Sequence, residues 1–234
     1  MQASTLIDQP PRPEQHLDPE TRAFYCRALT RLQEAGVPFL VGGAYAFERY
    51  TGIARHTKDL DVFLREADHP RALAALQADG CRGDVPFPHW LAKAYCGDHF
   101  VDLIFGSGNG VAPVDDHWFR HAVDETVLGI PVQIVPAEEM IWQKSLIMER
   151  ERFDGADVAH VLRARAELLD WDRLLDRFGE HWPVLLSHLI LFGYIYPEER
   201  SKIPTRVLRS LLRQAEPLPH AVAEAGRDLS LIHI

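Results

Sequence analysis

The hydrophobic positions of this chain change their period near Pro136. Upstream of Pro136, short apolar runs bounded by glycine or proline alternate with stretches of helical spacing, so we predict strands interleaved with helices. The predicted helices are 19–35, 44–50 and 70–78, and the predicted strands are 38–41, 60–64, 91–95, 100–105, 126–128 and 132–135. Asp18 is placed to cap the first helix, and Gly36 is placed to end it.

Downstream of Pro136 the spacing is helical throughout. The predicted helices are 137–151, 156–169, 171–178, 183–194 and 205–214. The chain is therefore predicted to be an α/β (α+β) protein, with a short mixed β-sheet flanked by helices and then a C-terminal helical bundle. We divide it into a flexible N-terminal arm at 1–18, an α/β domain at 19–136 and a helical region at 137–228.

The segment 229–234 reads Leu-Ser-Leu-Ile-His-Ile and resembles the translation of a sequencing adapter. We therefore expect 229–234 to be an artefact and leave it out of the fold prediction. An ordinary short apolar tail is the alternative interpretation.

Composition narrows the class of protein. Apolar residues make up 47% and charged residues 25%, as in globular domains. A net charge of -9 argues against nonspecific nucleic-acid binding driven by bulk positive charge. The three cysteines are widely spaced, so we expect no disulfide framework and a cytoplasmic, reducing location. We see no signal peptide, and the apolar stretch 184–196 is shorter than the ~20 residues of a membrane span, so no membrane partner is expected.

Three aspartates are the candidate metal ligands. Asp59 and Asp61 are two positions apart at a predicted strand, so their carboxylates face the same side, about 6–7 Å apart. Asp102 lies inside the apolar strand 100–105, where a lone carboxylate is costly without a partner. If the two strands are neighbours, the three carboxylates converge, and oxygen ligands of this kind suit Mg²⁺ or Mn²⁺. Surface acids, or a bond from Asp102 to neighbouring backbone or to Lys93, are the alternative.

Gly42 and Gly43 follow a predicted strand and precede a predicted helix. Backbone N–H groups at such a turn can approach an anion closely, at the positive end of the helix. This pattern predicts a phosphate-binding turn, although a plain turn would have the same sequence.

The order strand, Gly-Gly, helix, Arg-x-Thr-x-Asp-x-Asp and a later Asp in a strand resembles the nucleotidyltransferase superfamily related to DNA polymerase β. The resemblance covers about 39–162 and is strongest to the small bacterial branch that includes toxin-type nucleotidyltransferases. It makes 19–136 the catalytic domain. It implies transfer of a nucleoside monophosphate from a nucleoside triphosphate to an acceptor hydroxyl, with release of pyrophosphate.

The resemblance also implies roles for individual residues. Asp59, Asp61 and Asp102 match the metal ligands, and Asp102 can also act as a base toward the acceptor. The nucleotide-binding residues would be Gly42, Gly43, Arg55, Thr57 and Lys144. The acceptor stays open between tRNA, another protein and a small molecule, and an antitoxin partner is possible by the same resemblance. A silent nucleotide-binding regulatory module of the same fold is the alternative function.

Two positions depart from the pattern of many relatives. Gly43 stands where many relatives have a serine whose hydroxyl contacts phosphate. The segment 153–157 reads Phe-Asp-Gly-Ala-Asp where relatives often have Lys-Asp-x-x-Asp. We therefore interpret Asp154 and Asp157 as structural support.

Overall fold

The structure is a computed structural model that describes residues 17–55, 57–149 and 151–216. Of the predicted arm, only Leu17 and Asp18 belong to these residues, and the predicted adapter segment 229–234 lies outside them. No helix in the described part of the chain is both long enough and apolar enough to cross a membrane.

Helices and strands alternate in the first part of the chain, and helices alone follow. The helices are α1 (Pro19–Glu34), α2 (Gly43–Thr51), α3 (His69–Ala78), α4 (Asp116–Arg120), α5 (Ala137–Ser145), α6 (Gly155–Arg165), α7 (Trp171–Phe178), α8 (Trp182–Ile195) and α9 (Thr205–Gln214). The strands are β1 (Leu40–Val41), β2 (Leu60–Phe63), β3 (Arg82–Phe87), β4 (Leu91–Cys96), β5 (His99–Ile104), β6 (Val123–Val127) and β7 (Ile130–Ile134).

The strands form one seven-stranded mixed sheet in the order β3-β4-β5-β2-β1-β7-β6. The pairs β2–β5 and β1–β7 are parallel, and the other neighbours are antiparallel. This arrangement, with helices against the sheet and a helical region after it, confirms the predicted fold class.

The residues of β2 and β5 alternate between two faces of the sheet. Leu60, Val62, Val101 and Leu103 are fully buried, and α1 and α3 contact β5. Because successive strand residues point to opposite faces, the intervening residues of both strands point to the other side of the sheet. That other side carries the candidate site.

The start and end of α1 follow the predicted signals. The carboxylate of Asp18 accepts hydrogen bonds from the N–H groups of Glu20 and Thr21, and Gly36 has a φ of 63° just beyond the helix. The buried face of α1 includes Phe24, Leu29 and Leu32.

Two differences between the prediction and the structure matter most for the site. The helix predicted at 137–151 ends at Ser145, and an isolated bridge pairs Met148 with Phe153. The strand β3 was not predicted, because it contains Pro86 and most of its residues are exposed, as befits the edge of a sheet.

The expectation of no disulfide was wrong. Arg82 of β3 is paired with Tyr95 of β4, so Cys81 and Cys96 lie next to each other, with Cα atoms 4.6 Å apart, and form a disulfide. Since β3 was missing from the prediction, nothing in the sequence placed these cysteines on adjacent strands. The pairing removes the cysteine argument for a reducing compartment.

A network of charged side chains joins the helical region to the rest of the molecule. Glu139 of α5 has no exposed side-chain surface and accepts hydrogen bonds from Arg173 at 2.5 and 2.6 Å and from Arg177 at 3.2 Å. Arg177 also donates to both carboxylate oxygens of Asp115, which caps α4. Because α4 precedes Pro136 and α7 follows it, this network fixes the helices against the α/β part.

Candidate active site

Strand pairing brings the three predicted aspartates together. Asp61 of β2 lies directly opposite Asp102 of β5 in the parallel register, and Asp59 precedes β2 by one residue. One carboxylate oxygen from each residue lies within 4.8 Å of the others. A divalent cation bound by all three would have oxygen ligands from two neighbouring strands.

Burial and the neighbouring negative charges act against ionisation of Asp61 and Asp102. Burial, followed by the charges of Asp59 and Asp102, raises the pKa of Asp61 to about 7. Burial also raises the pKa of Asp102, against the opposing effect of Lys93. A hard divalent cation would relieve this repulsion. The donor set therefore fits Mg²⁺ or Mn²⁺.

Two neighbouring side chains orient the carboxylates. The hydroxyl of Thr57 donates a hydrogen bond of 2.5 Å to Asp59. The ammonium of Lys93, on β4, lies 2.6 Å from one carboxylate oxygen of Asp102. The alternative considered for Asp102, a bond to Lys93, is therefore present alongside the convergence with Asp59 and Asp61.

The Gly-Gly turn lies directly against this cluster. Gly43 has a φ of 53°, and a Cβ atom there would lie only 1.7 Å from a carboxylate oxygen of Asp61. A Cβ on Gly42 would lie 2.2 Å from the ring of Phe63. The serine that many relatives have at position 43 could not be accommodated in this conformation.

The two glycines differ in what their backbone can offer an anion. The N–H of Gly42 donates to the carbonyl of Asp61 at 2.9 Å, which holds the turn against β2. α2 begins at Gly43 with no side-chain cap, so its first-turn N–H groups form the positive end of the helix. The structure thus places the helix N-terminus beside the carboxylates.

Lys144 and Arg55 lie across the cleft but are engaged with acids. The ammonium of Lys144 lies 2.8 Å from Asp154 and 2.8 Å from Asp157. Arg55 lies 2.5 Å from Asp157 and stacks over the ring of Phe47. Both predicted nucleotide contacts are therefore held in ion pairs.

All of these groups except Gly42 and Lys93 line one cleft of about 360 Å³. Sequence reasoning did not single out Trp90, which lines the cleft near Ile104. The ring of Trp90 stacks on Phe87 of β3, with ring centroids 5.3 Å apart. Because β3 was not predicted, there was no reason from the sequence to place Trp90 in the cleft.

Comparison with known proteins identifies a family. Residues 23–183 match a protein-family model described as "Uncharacterised nucleotidyltransferase". No curated protein sequence matches the chain significantly.

Among solved structures, the antibiotic-resistance factor ANT(2'')-Ia in solution is similar, with a TM-score of 0.51 and 15% identity over 74% of this chain and 98% of that chain. ANT(2'')-Ia in complex with adenylyl-2''-tobramycin gives a TM-score of 0.48 and 14% identity, covering 76% and 99%. The lincosamide antibiotic adenylyltransferase LnuA, bound to lincomycin, gives 0.42 and 13%, covering 61% and 95%. At 15% identity, the similarity to the first of these structures shows a similar fold alone.

Proposed function

The chain belongs to this nucleotidyltransferase family, and from that membership we propose that it is a metal-dependent enzyme that transfers a nucleoside monophosphate from a nucleoside triphosphate to an acceptor hydroxyl. The convergence of Asp59, Asp61 and Asp102 in one cleft is the observation that supports this most strongly. Three carboxylate oxygens within 4.8 Å of one another repel each other unless a cation lies between them.

The proposed transfer is a displacement at the α-phosphorus of the nucleoside triphosphate. The acceptor oxygen forms a bond to that phosphorus while the bond to the β-phosphate oxygen breaks, and pyrophosphate leaves. The proton of the acceptor hydroxyl passes to a base, and Asp102 is the candidate. Lys93 holds one oxygen of Asp102 at 2.6 Å and so orients this carboxylate.

Asp59, Asp61 and Asp102 would hold Mg²⁺ or Mn²⁺. When bound, such a cation neutralises charge on the phosphates and lowers the pKa of the attacking hydroxyl. Thr57 orients the carboxylate of Asp59 through its 2.5 Å hydrogen bond, so we assign it to positioning this ligand. Its hydroxyl is then engaged with Asp59 in place of a phosphate.

The nucleotide would lie between the carboxylates and the opposite side of the cleft. The N-terminus of α2 at Gly43 offers backbone N–H groups to phosphate. Lys144 and Arg55 offer positive charge from the other side. Gly42 contributes by holding the turn in place.

The acceptor is a hydroxyl-bearing molecule of the classes named above: tRNA, a protein or a small molecule. The net charge of -9 disfavours a large RNA as the acceptor, because proteins bind RNA mainly through its negatively charged phosphates. The retained carboxylates argue against the silent regulatory module, because that function has no use for three mutually repelling acids.

The direct test is incubation with Mg²⁺ and each of four α-³²P-labelled nucleoside triphosphates, with cell RNA, protein and small-molecule extract as acceptors. We expect label transfer by the unmodified chain and a loss of about 100-fold or more in Asp61→Asn. Asp98→Asn, an exposed acid in the β4–β5 turn, is the matched control and should retain transfer.

Nucleotide binding without any transfer would favour the regulatory module. Equal transfer by Asp61→Asn and the unmodified chain would refute the assignment of the site.

A further inference from the structure

Five charged side chains of the cleft are joined in one row of ion pairs, in the order Arg55, Asp157, Lys144, Asp154 and Arg152. Lys144 bridges Asp154 and Asp157, Arg55 pairs with Asp157, and Arg152 donates to Asp154 at 3.0 and 3.1 Å. All five line the same cleft as the three aspartates. We name the three cations Arg55, Lys144 and Arg152 the cationic cluster.

The two acids and Lys144 are the buried part of this network. The side chains of Asp154 and Asp157 are 11% and 12% exposed, whereas those of Arg55 and Arg152 are 42% and 60% exposed. Ion pairs with the buried acids therefore hold the charged groups of the cations in place. The two exposed guanidinium groups have further N–H donors for a ligand. Each guanidinium carries five N–H donors, and these ion pairs use only part of them.

The cationic cluster would not keep this arrangement without the acids. Three like charges on one side of a cleft repel one another, and long side chains lose rotamer freedom when they are fixed. Two carboxylates reduce three positive charges to a net charge of one. They also fix α6, which begins at Gly155, against Lys144 of α5.

We propose that Asp154 and Asp157 are positioning residues that hold the cationic cluster ready for the triphosphate, and that Arg152 belongs to the nucleotide-binding residues. The proposal rests on the proposed function, since it assigns the triphosphate to this side of the cleft. It replaces the structural-support interpretation of these acids with a role in nucleotide binding.

Asp154 and Asp157 are not placed as further metal ligands. Among the described residues, the group of acids with converging oxygens consists of Asp59, Asp61 and Asp102. Both oxygens of Asp157 are engaged, one with Arg55 and one with Lys144. The two acids should therefore affect nucleotide affinity and leave metal affinity unchanged.

The experiment measures two affinities without any turnover. Calorimetric titration gives the Kd for each of the four Mg²⁺–nucleoside triphosphates in the absence of acceptor, and electron paramagnetic resonance gives the Kd for Mn²⁺ alone. The variants are Asp154→Asn, Asp157→Asn and Arg55→Gln. Asp172→Asn is the matched control, because its ion pair with Arg206 is exposed and lies outside the cleft.

We expect Asp154→Asn and Asp157→Asn to weaken triphosphate binding by roughly tenfold and to change the Mn²⁺ Kd by less than about twofold. Arg55→Gln should weaken triphosphate binding too. Its effect combined with Asp157→Asn should be less than additive, because the acid acts partly through this arginine. Arg55 is an exposed side chain, so this variant should fold even if an aspartate variant does not.

Three results would overturn the proposal. Triphosphate binding that is unchanged or tighter in the Asp→Asn variants would show that the acids are inert or compete with phosphate. Mn²⁺ affinity that falls as much as triphosphate affinity would place the acids in the metal site. If the unmodified chain binds no triphosphate at all, the proposed function fails together with this inference. If all variants bind triphosphate and transfer the nucleotide normally, the inference alone is refuted.

Discussion

At the scale of single residues, Gly43 links the turn to the carboxylate cluster. Its φ is positive, and a Cβ atom at this position would lie 1.7 Å from a carboxylate oxygen of Asp61, so only glycine fits here. The departure from the serine of many relatives therefore has a physical reason in this chain. Asp61 occupies the space that a side chain at position 43 would fill.

Gly43→Ala should displace the carboxylate of Asp61 and weaken Mn²⁺ binding by about tenfold or more. Gly36→Ala is the control, because Gly36 also has a positive φ of 63° but open space around it. The control should lose about 1 kcal/mol of stability from backbone strain and keep its Mn²⁺ affinity. Electron paramagnetic resonance and urea unfolding measure the two effects, and equal Mn²⁺ affinity in both variants would show that Gly43 is not needed to place Asp61.

At the scale of elements, α5 contributes both to the ion pairs with α7 and to the cleft. It carries Glu139 toward Arg173 and Arg177 of α7, and it carries Lys144 toward the cleft. Breaking a buried ion pair by removing one partner leaves the other charges uncompensated, which is far more costly than losing an exposed pair.

Glu139→Ala should therefore lower the free energy of unfolding by about 3–5 kcal/mol. Asp172→Ala, which removes an exposed partner of Arg206, should cost less than about 1 kcal/mol. Urea unfolding monitored by tryptophan fluorescence measures both. A loss in Glu139→Ala no larger than that in Asp172→Ala would show that the network contributes little.

The packing of α8 makes stability depend on pH. His188 is 3% exposed, faces the carbonyl of Ser145 at 3.3 Å and stacks on Phe153. Burial lowers the pKa of His188 below its ordinary value of 6.5. Since the unfolded chain then binds the proton more readily, this contribution to stability is complete above about pH 6.5 and is lost as the pH falls toward the folded-state pKa.

The stability difference between the unmodified chain and His188→Gln should therefore be smaller at pH 5.5 than at pH 7.5. Urea unfolding at the two pH values measures this difference and cancels the titration of other groups. A difference that stays constant or grows at pH 5.5 would show that His188 is readily protonated in the folded state.

The elements also show what the sequence could predict. The helical period was sufficient for α1, α7 and α9 because each has a one-sided apolar face, and α1 also has Asp18 as its cap. They were insufficient for β3, an exposed edge strand containing Pro86, and hence for the Cys81–Cys96 disulfide. Pairing across strands depends on tertiary register, which a single sequence does not record.

Part of the candidate site could likewise be predicted from the sequence, and part could not. Asp59 and Asp61 could be singled out by their spacing of two positions at a predicted strand, and Asp102 because a lone carboxylate in an apolar strand is costly. Their placement within 4.8 Å of one another, and the ion pairs of Lys144, depend on which strands and helices are neighbours. Whether these residues carry out the chemistry stays a prediction.

At the scale of the whole molecule, the cleft requires both parts of the chain. The carboxylates and the Gly-Gly turn come from the sheet side, and Lys144, Asp154 and Asp157 come from the helices after Pro136. The proposed function depends above all on this cleft binding a divalent cation through Asp59, Asp61 and Asp102. Transfer of the nucleotide would depend on that cation.

The decisive experiment is titration of the chain with Mn²⁺, followed by electron paramagnetic resonance, in parallel with Asp61→Asn and the control Asp98→Asn. We expect saturable binding by the unmodified chain and by Asp98→Asn, and a loss of affinity of at least about tenfold in Asp61→Asn. Equal Mn²⁺ binding by all three proteins, or none by the unmodified chain, would contradict the assignment of these aspartates as metal ligands.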